Sequence, residues 1–359
     1  MLIEVKNKQA RASFLLEAGG LLTDLCLQGP AGEVFSILRA DPAKYLQKLD
    51  LINLNNIANW PTFGSPLLFP FAGRVWHQEQ VGKYFWLGRE WEMPIHGLAY
   101  LRPWKIRQQE DHAITLYLED DHKTQNLFPY RFLLEARYEL HESALHLSIK
   151  VENRGLLKEV SHFQESKKTV KVDSSMPVNL GLHPFFQIRA MIANHNQGYN
   201  HSRNPSRNQN CDSKSPVDNQ TASEYKLQLA SGVEQSIKWH RVTGGRCGLV
   251  LTGAELKAKL STNFPRDEDA IIMCAGSELG LEILRKDRDQ EPYLLCISAD
   301  TKFSTWVLHS RLEDDFVCIE PWYGPPNNIE TKNGLQLLPA GASLESTFSI
   351  SLNKKHRTP

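Results

Sequence analysis

YRFLLEARYELHESALHLSIKVEN, residues 130–153, alternates apolar and polar side chains on either side of a short polar break at 141–143. Alternation is the period of a pleated strand, whose successive side chains point to opposite faces. The stretch therefore reads as a β-hairpin with one face turned to a core. Outward from it, shorter runs of the same kind stand at 114–118, 248–251, 293–298, 303–308 and 347–352. Long helical periodicity is nearly absent, and 42–54 is the best candidate for a short helix. Many short strands with turn residues between them point to an all-β sandwich.

Composition narrows the functional classes. Hydrophobic residues make up 41% of 359, enough for a large core, and 41 basic residues balance 41 acidic ones. A chain of zero formal charge gives no reason to expect nucleic acid or an anionic membrane as partner. The N-terminal MLIEVKNKQA lacks the apolar core of a signal peptide, and no apolar run reaches membrane-spanning length. Six cysteines, at 26, 211, 247, 274, 296 and 318, form no CxxC pair, and several lie in apolar strand-like runs. They read as reduced core residues, and the expected location is the cytoplasm.

The chemistry concentrates in CIEPWYGPPNN, residues 318–328. Glu320 ends an apolar run (Phe316, Val317, Cys318, Ile319), and Pro321, Gly324, Pro325 and Pro326 stop the strand and stiffen the turn after it. Trp322 and Tyr323 offer flat faces beside the acid, of the kind sugar clefts use. Three further polar residues stand at the edges of apolar segments: Arg74 in FPFAGRVW, His96 in MPIHGLAY and His183 in NLGLHPFF. Each has a structural reading as well. Strand-end acids shape turns, histidines among apolar residues are often satisfied core residues, and a lone arginine usually makes an ion pair.

Taken in order, FPFAGR, HGLA, HPFF and EPWYGPPN resemble the motifs of the aldose 1-epimerase (galactose mutarotase-like) family, from about residue 68 to 350. The resemblance implies a large antiparallel two-sheet β-supersandwich with a cleft across one concave sheet. It implies no cofactor, a monosaccharide substrate, and a monomer or homodimer. On the same grounds residues 1–353 form one domain, with insertions at 157–175 and 193–223 and a basic tail at 354–359. The second insertion is rich in Asn, Ser and Gln, with too little apolar surface to offset its ordering entropy. It reads as a long surface loop.

Interconverting the anomers of a free sugar moves one proton off the C1 hydroxyl and another onto the ring oxygen. The ring opens, the carbonyl end rotates and the ring closes from the other face. Glu320, ionised at neutral pH, suits the base; His183, with an ordinary value near 6.5, suits the acid. This agrees with the roles that the resemblance implies. By the same resemblance Arg74 and His96 would bind the ring-oxygen region and neighbouring hydroxyls; position beside the acid, and that alone, makes Trp322, and Tyr323 after it, candidates for the cleft wall. A metal at His183 and Glu320 would need further ligands, and the sequence offers none at zinc-site spacing. The aspartate that usually holds sugar hydroxyls in this family has no matched counterpart among Asp267, Asp269 and Asp300. A hexose-6-phosphate epimerase would need a phosphate-binding basic cluster; Arg102 is the one suggestive extra cation, and it reads equally well as a surface residue. A non-catalytic sugar sensor and the sandwich domain of a polysaccharide-acting enzyme are the rival readings.

Overall fold

The computed structural model describes residues 2–40, 63–157, 174–187, 225–229, 249–250, 269–273, 278–283, 293–310 and 316–354. The expected helix at 42–54, residues 158–173 of the first insertion and the whole second insertion lie outside them, as does Asp267.

The hairpin forms as its alternation predicts. Strands Tyr130–His141 and Ala144–Leu156 pair antiparallel across a turn at Glu142 and Ser143, with Tyr138 opposite Leu147, Ala136 opposite Ile149 and Leu134 opposite Val151. These inward residues are buried, while the intervening ones are half-buried or exposed. The hairpin is the centre of an eight-stranded sheet. Lys105–Gln109 and Ala113–Glu119 extend one side; Ser343–Lys354, Tyr293–Ala299, Glu278–Ile283 and Tyr225–Leu229 extend the other.

A second sheet of seven strands carries the motif segments. Its path runs Leu249–Val250, Asp269–Met273, Thr305–Ser310, Phe316–Trp322, Gly181–Leu182 and Leu67–Leu68, with Phe185–Gln187 also paired to Phe316–Trp322. All its pairings are antiparallel except that of the two short strands Leu249–Val250 and Asp269–Met273. A four-stranded sheet at the N-terminus, Leu2–Lys6 to Val34–Ser36, joins the same apolar core.

The core is contiguous across the sheets. Phe132 of the hairpin lies with its ring centre 4.9 Å from that of Phe69, just upstream of Arg74. Phe14 of the N-terminal sheet lies 4.7 Å from Tyr138. Aromatic contacts of this size bury large areas and fix the sheets relative to one another. Strand Phe316–Trp322 is buried at all seven positions, on both faces. A carboxylate in such a strand needs a reason to be there.

Candidate active site

The reason is set by register. Gly181 pairs with Trp322 and Phe185 with Cys318, so midway between them His183 falls opposite Glu320. Pro184 offers no N–H to a ladder, and the chain between the two short strands turns aside; the His183 N–H donates instead to the Pro66 carbonyl at 3.1 Å. His183 Nε2 stands 3.3 Å from Glu320 Oε1, with both side chains almost fully buried. Phe185 stacks on the imidazole at 4.5 Å and 16°, which holds the ring plane.

His96 closes one side. Its ring lies edge-on to His183 at 5.1 Å and to Trp322 at 5.6 Å. The Gly73 N–H donates to His96 Nδ1 at 3.1 Å, and the His96 N–H donates to the Gly73 carbonyl at 2.7 Å. With Nδ1 accepting, a neutral His96 carries its proton on Nε2 and is a hydrogen-bond donor there. The HG wording follows from this geometry. His96 and Gly97 both have positive φ, and a Cβ at 97 would stand 2.1 Å from the Phe69 carbonyl oxygen. A left-handed backbone at a non-glycine residue is strain that the surrounding structure must hold, and it is common at functional sites.

Arg74 follows Gly73 and is therefore carried beside His96. It is half-buried, and its carbonyl accepts from the Asn327 N–H at 2.9 Å, tying FPFAGR to the end of EPWYGPPN. Gly73 itself, at φ +79°, packs on the Trp322 ring, where a Cβ would come within 2.9 Å. Trp322 Nε1 is buried and has no hydrogen-bond partner among the described residues. Of the five residues singled out in the sequence, the side chains of His96, His183, Glu320 and Trp322 converge, and the backbone of Arg74 runs beside His96.

Two expectations are corrected and one open alternative is decided. Tyr323 does not wall the site: its ring packs on Phe303 at 4.9 Å, its hydroxyl meets Ser346, and it belongs to the core on the opposite side. Arg102 binds Asp121, the cap of the short helix His122–Gln125, and has a structural partner rather than a place beside the imidazoles. His183 is not an ordinary histidine. Burial first, then repulsion from His96 and His309, pushes its imidazole well below the usual range.

Asp300 is occupied in a turn, accepting from the Lys302 N–H at 2.9 Å and the Thr347 N–H at 2.8 Å. Asp269 stands in strand Asp269–Met273. Sequence reasoning missed Cys318 and His309. Cys318 lies two residues before Glu320 and so on the same face, and His309 is its ladder partner on the neighbouring strand. The i, i+2 spacing within CIEPW was the available signal for Cys318.

The family model for aldose 1-epimerase matches residues 1–338, and the chain belongs to that family. Among solved structures it is similar to a protein of Synechocystis, at 19% identity and a TM-score of 0.66 over 99% of this chain and 96% of the other. It is similar also to the galactose mutarotase related enzyme of Lactobacillus acidophilus, at 16% identity and 0.61, covering 99% of both chains. A galactose mutarotase-like protein of Clostridium acetobutylicum gives 14% and 0.65, covering 99% of this chain and 95% of that one. The fold is that of the galactose mutarotase-like proteins, all-β with large antiparallel sheets. Curated protein sequences show no match. No helix among the described residues is long and apolar enough to cross a membrane.

Proposed function

We propose that the chain is a cofactor-free aldose 1-epimerase that interconverts the α and β anomers of a free monosaccharide, with Glu320 as base and His183 as acid. The observation that carries this reading is the buried contact of His183 Nε2 with Glu320 Oε1 at 3.3 Å, opposite one another across the sheet. A carboxylate and an imidazole taken out of water at this separation are costly to fold around, and a surface or turn role would not require it. His96 stands beside the pair with the Trp322 ring against it, and Arg74, next in the chain to Gly73, is taken as the neighbouring cation.

Glu320 takes the C1 hydroxyl proton as the C1–O5 bond breaks, and His183 Nε2 gives a proton to O5. Rotation about C1–C2 and the reverse transfers close the ring on the other face, so base and acid are restored. Positioned groups of this kind contribute roughly 10² to 10⁴-fold each, which suffices for a reaction that runs unaided in water. Because burial disfavours the imidazolium, the acid form is scarce in the sugar-free protein at neutral pH. Sugar hydroxyls donating to the Glu320 carboxylate favour the charged pair and so load the acid on binding. With this reading go one domain over residues 1–353, supported by the continuous core, and a small neutral sugar as partner.

The test is anomer interconversion on freshly dissolved α-glucose, α-galactose and glucose 6-phosphate, followed by polarimetry or proton NMR beside Glu320→Gln and a blank. Acceleration by the wild type alone supports the reading and ranks the sugars. A wild type that binds a sugar yet turns over no faster than the blank would make it a sensor.

A further inference from the structure

The acid–base pair has a third donor beside it that ring opening does not use. Cys318 stands in strand Phe316–Trp322 outside any disulfide, fully buried, two residues from Glu320 on the same face. One ligand atom from each of His183, Cys318 and Glu320 can be chosen so that all three lie within 4.8 Å of one another. A tetrahedral zinc ion with ordinary bond lengths of about 2.0 to 2.3 Å sets its ligand atoms roughly 3.3 to 3.6 Å apart. The imidazole and carboxylate already stand at 3.3 Å. From spacings of at most 4.8 Å, the three donors need to close by little more than about an ångström to reach that triangle.

We infer that His183, Cys318 and Glu320 form a binding site for a thiophilic divalent cation, Zn²⁺ above all, and that the ion displaces the sugar chemistry. The donor set argues for the metal. Imidazole and thiolate select zinc over magnesium or calcium, and three protein ligands leave a fourth position for water. The strand holds two of the ligands at fixed spacing, and Phe185 fixes the plane of the third. The thiol gives up its proton to solvent as the S–Zn bond forms. The second half of the inference rests on the proposed function: the metal would engage the imidazole and the carboxylate assigned to acid and base, so an ion and a turnover exclude one another.

The experiment titrates Zn²⁺ alone into the wild type, Cys318→Ala and Glu320→Gln, by competition with a chromogenic chelator. A Co²⁺ titration read in the near ultraviolet accompanies it, and anomer interconversion is measured across the same metal range. One tight equivalent is expected in the wild type, with a thiolate-to-cobalt charge-transfer band. Losing even an outer-shell partner of a metal ligand typically costs about 10 to 100-fold in affinity, so losing a ligand should cost at least that. Cys318→Ala should therefore weaken binding at least tenfold, abolish the band and leave basal turnover near normal but resistant to zinc.

Equal affinity in wild type and Cys318→Ala, or no band in the wild type, overturns the site. Should Cys318→Ala fail to fold, Glu320→Gln keeps every thiol and removes one ligand, and unchanged affinity there overturns it equally. Tight binding through Cys318 by a protein that turns over no sugar would sink the function and leave the site standing. Turnover that persists in the zinc-loaded protein would sink the exclusion.

Discussion

Two pairs of facing residues show how differently this molecule uses the same arrangement. In the eight-stranded sheet Lys150 lies opposite Glu345, Nζ to Oε1 at 3.9 Å, with side chains 43% and 75% exposed. In strand Phe316–Trp322 Glu320 lies opposite His183 at 3.3 Å, with side chains 1% and 7% exposed. Both bring a basic group to an acid across neighbouring strands. The first sits on the solvated face of a one-sided sheet, where water screens it and either residue is replaceable. The second sits in a strand covered on both faces, where groups of the protein, rather than water, must offset the lost hydration. Burial, rather than pairing, distinguishes the candidate site from the surface.

The largest expected effect of breaking the buried pair is on turnover. Glu320→Gln keeps the shape and removes the proposed base, and kcat/KM for the best sugar should fall by about 10² to 10⁴-fold with a cooperative thermal transition retained. A folded variant with near-normal rate would show that the pair is structural, like its surface counterpart. On the hairpin side the large effect is on stability. Phe132→Ala removes a fully buried ring that touches Phe69 and should cost about 3 to 5 kcal/mol in urea unfolding, with KM of the folded fraction little changed. A cost below about 1 kcal/mol would mean that the sheets are not held together there.

The next effect is a pH dependence. The folded His183 has its pKa depressed, chiefly by burial, while the unfolded chain titrates near the ordinary 6.5. Below that value the unfolded state binds the proton and the folded state does not, so this residue makes stability fall as pH falls. The slope approaches about 1.4 kcal/mol per pH unit until the folded pKa is reached. Above about pH 6.5 it contributes nothing. His183→Asn should flatten stability, measured by urea unfolding, between neutral pH and the acid side. An unchanged slope would place the acid sensitivity in other groups.

These contrasts also explain which features were legible in the sequence and which were not. The hairpin was legible because its sheet is buried on one face, and one-sided burial imprints a period of two on 24 consecutive residues, 130–153. Strand Phe316–Trp322 shows only an unbroken apolar run, since both faces are covered. Its acid stood out for that reason, but its partner did not, because the contact depends on a register between segments far apart in the chain. The motif wording supplied His183 by resemblance; Cys318 belongs to no such wording and was read as core. Tyr323 was misplaced although alternation argued against it: Glu320 and Trp322 share a face, and the next residue along is directed to the other side.

The smallest effect tests the comparison from its solvated end. A double-mutant cycle on Lys150→Ala and Glu345→Ala isolates the coupling between two exposed residues in ladder register. Exposed pairs of this kind typically couple by about 0.2 to 1 kcal/mol, and the entropy of two long side chains offsets much of that. The expected value lies in that range at low salt and shrinks as ionic strength screens it. If coupling instead exceeds about 1.5 kcal/mol and resists salt, register alone would make a strong pair. Burial would then no longer separate Glu320 from Glu345, and the argument that a carboxylate in a doubly covered strand is there for chemistry would lose its footing.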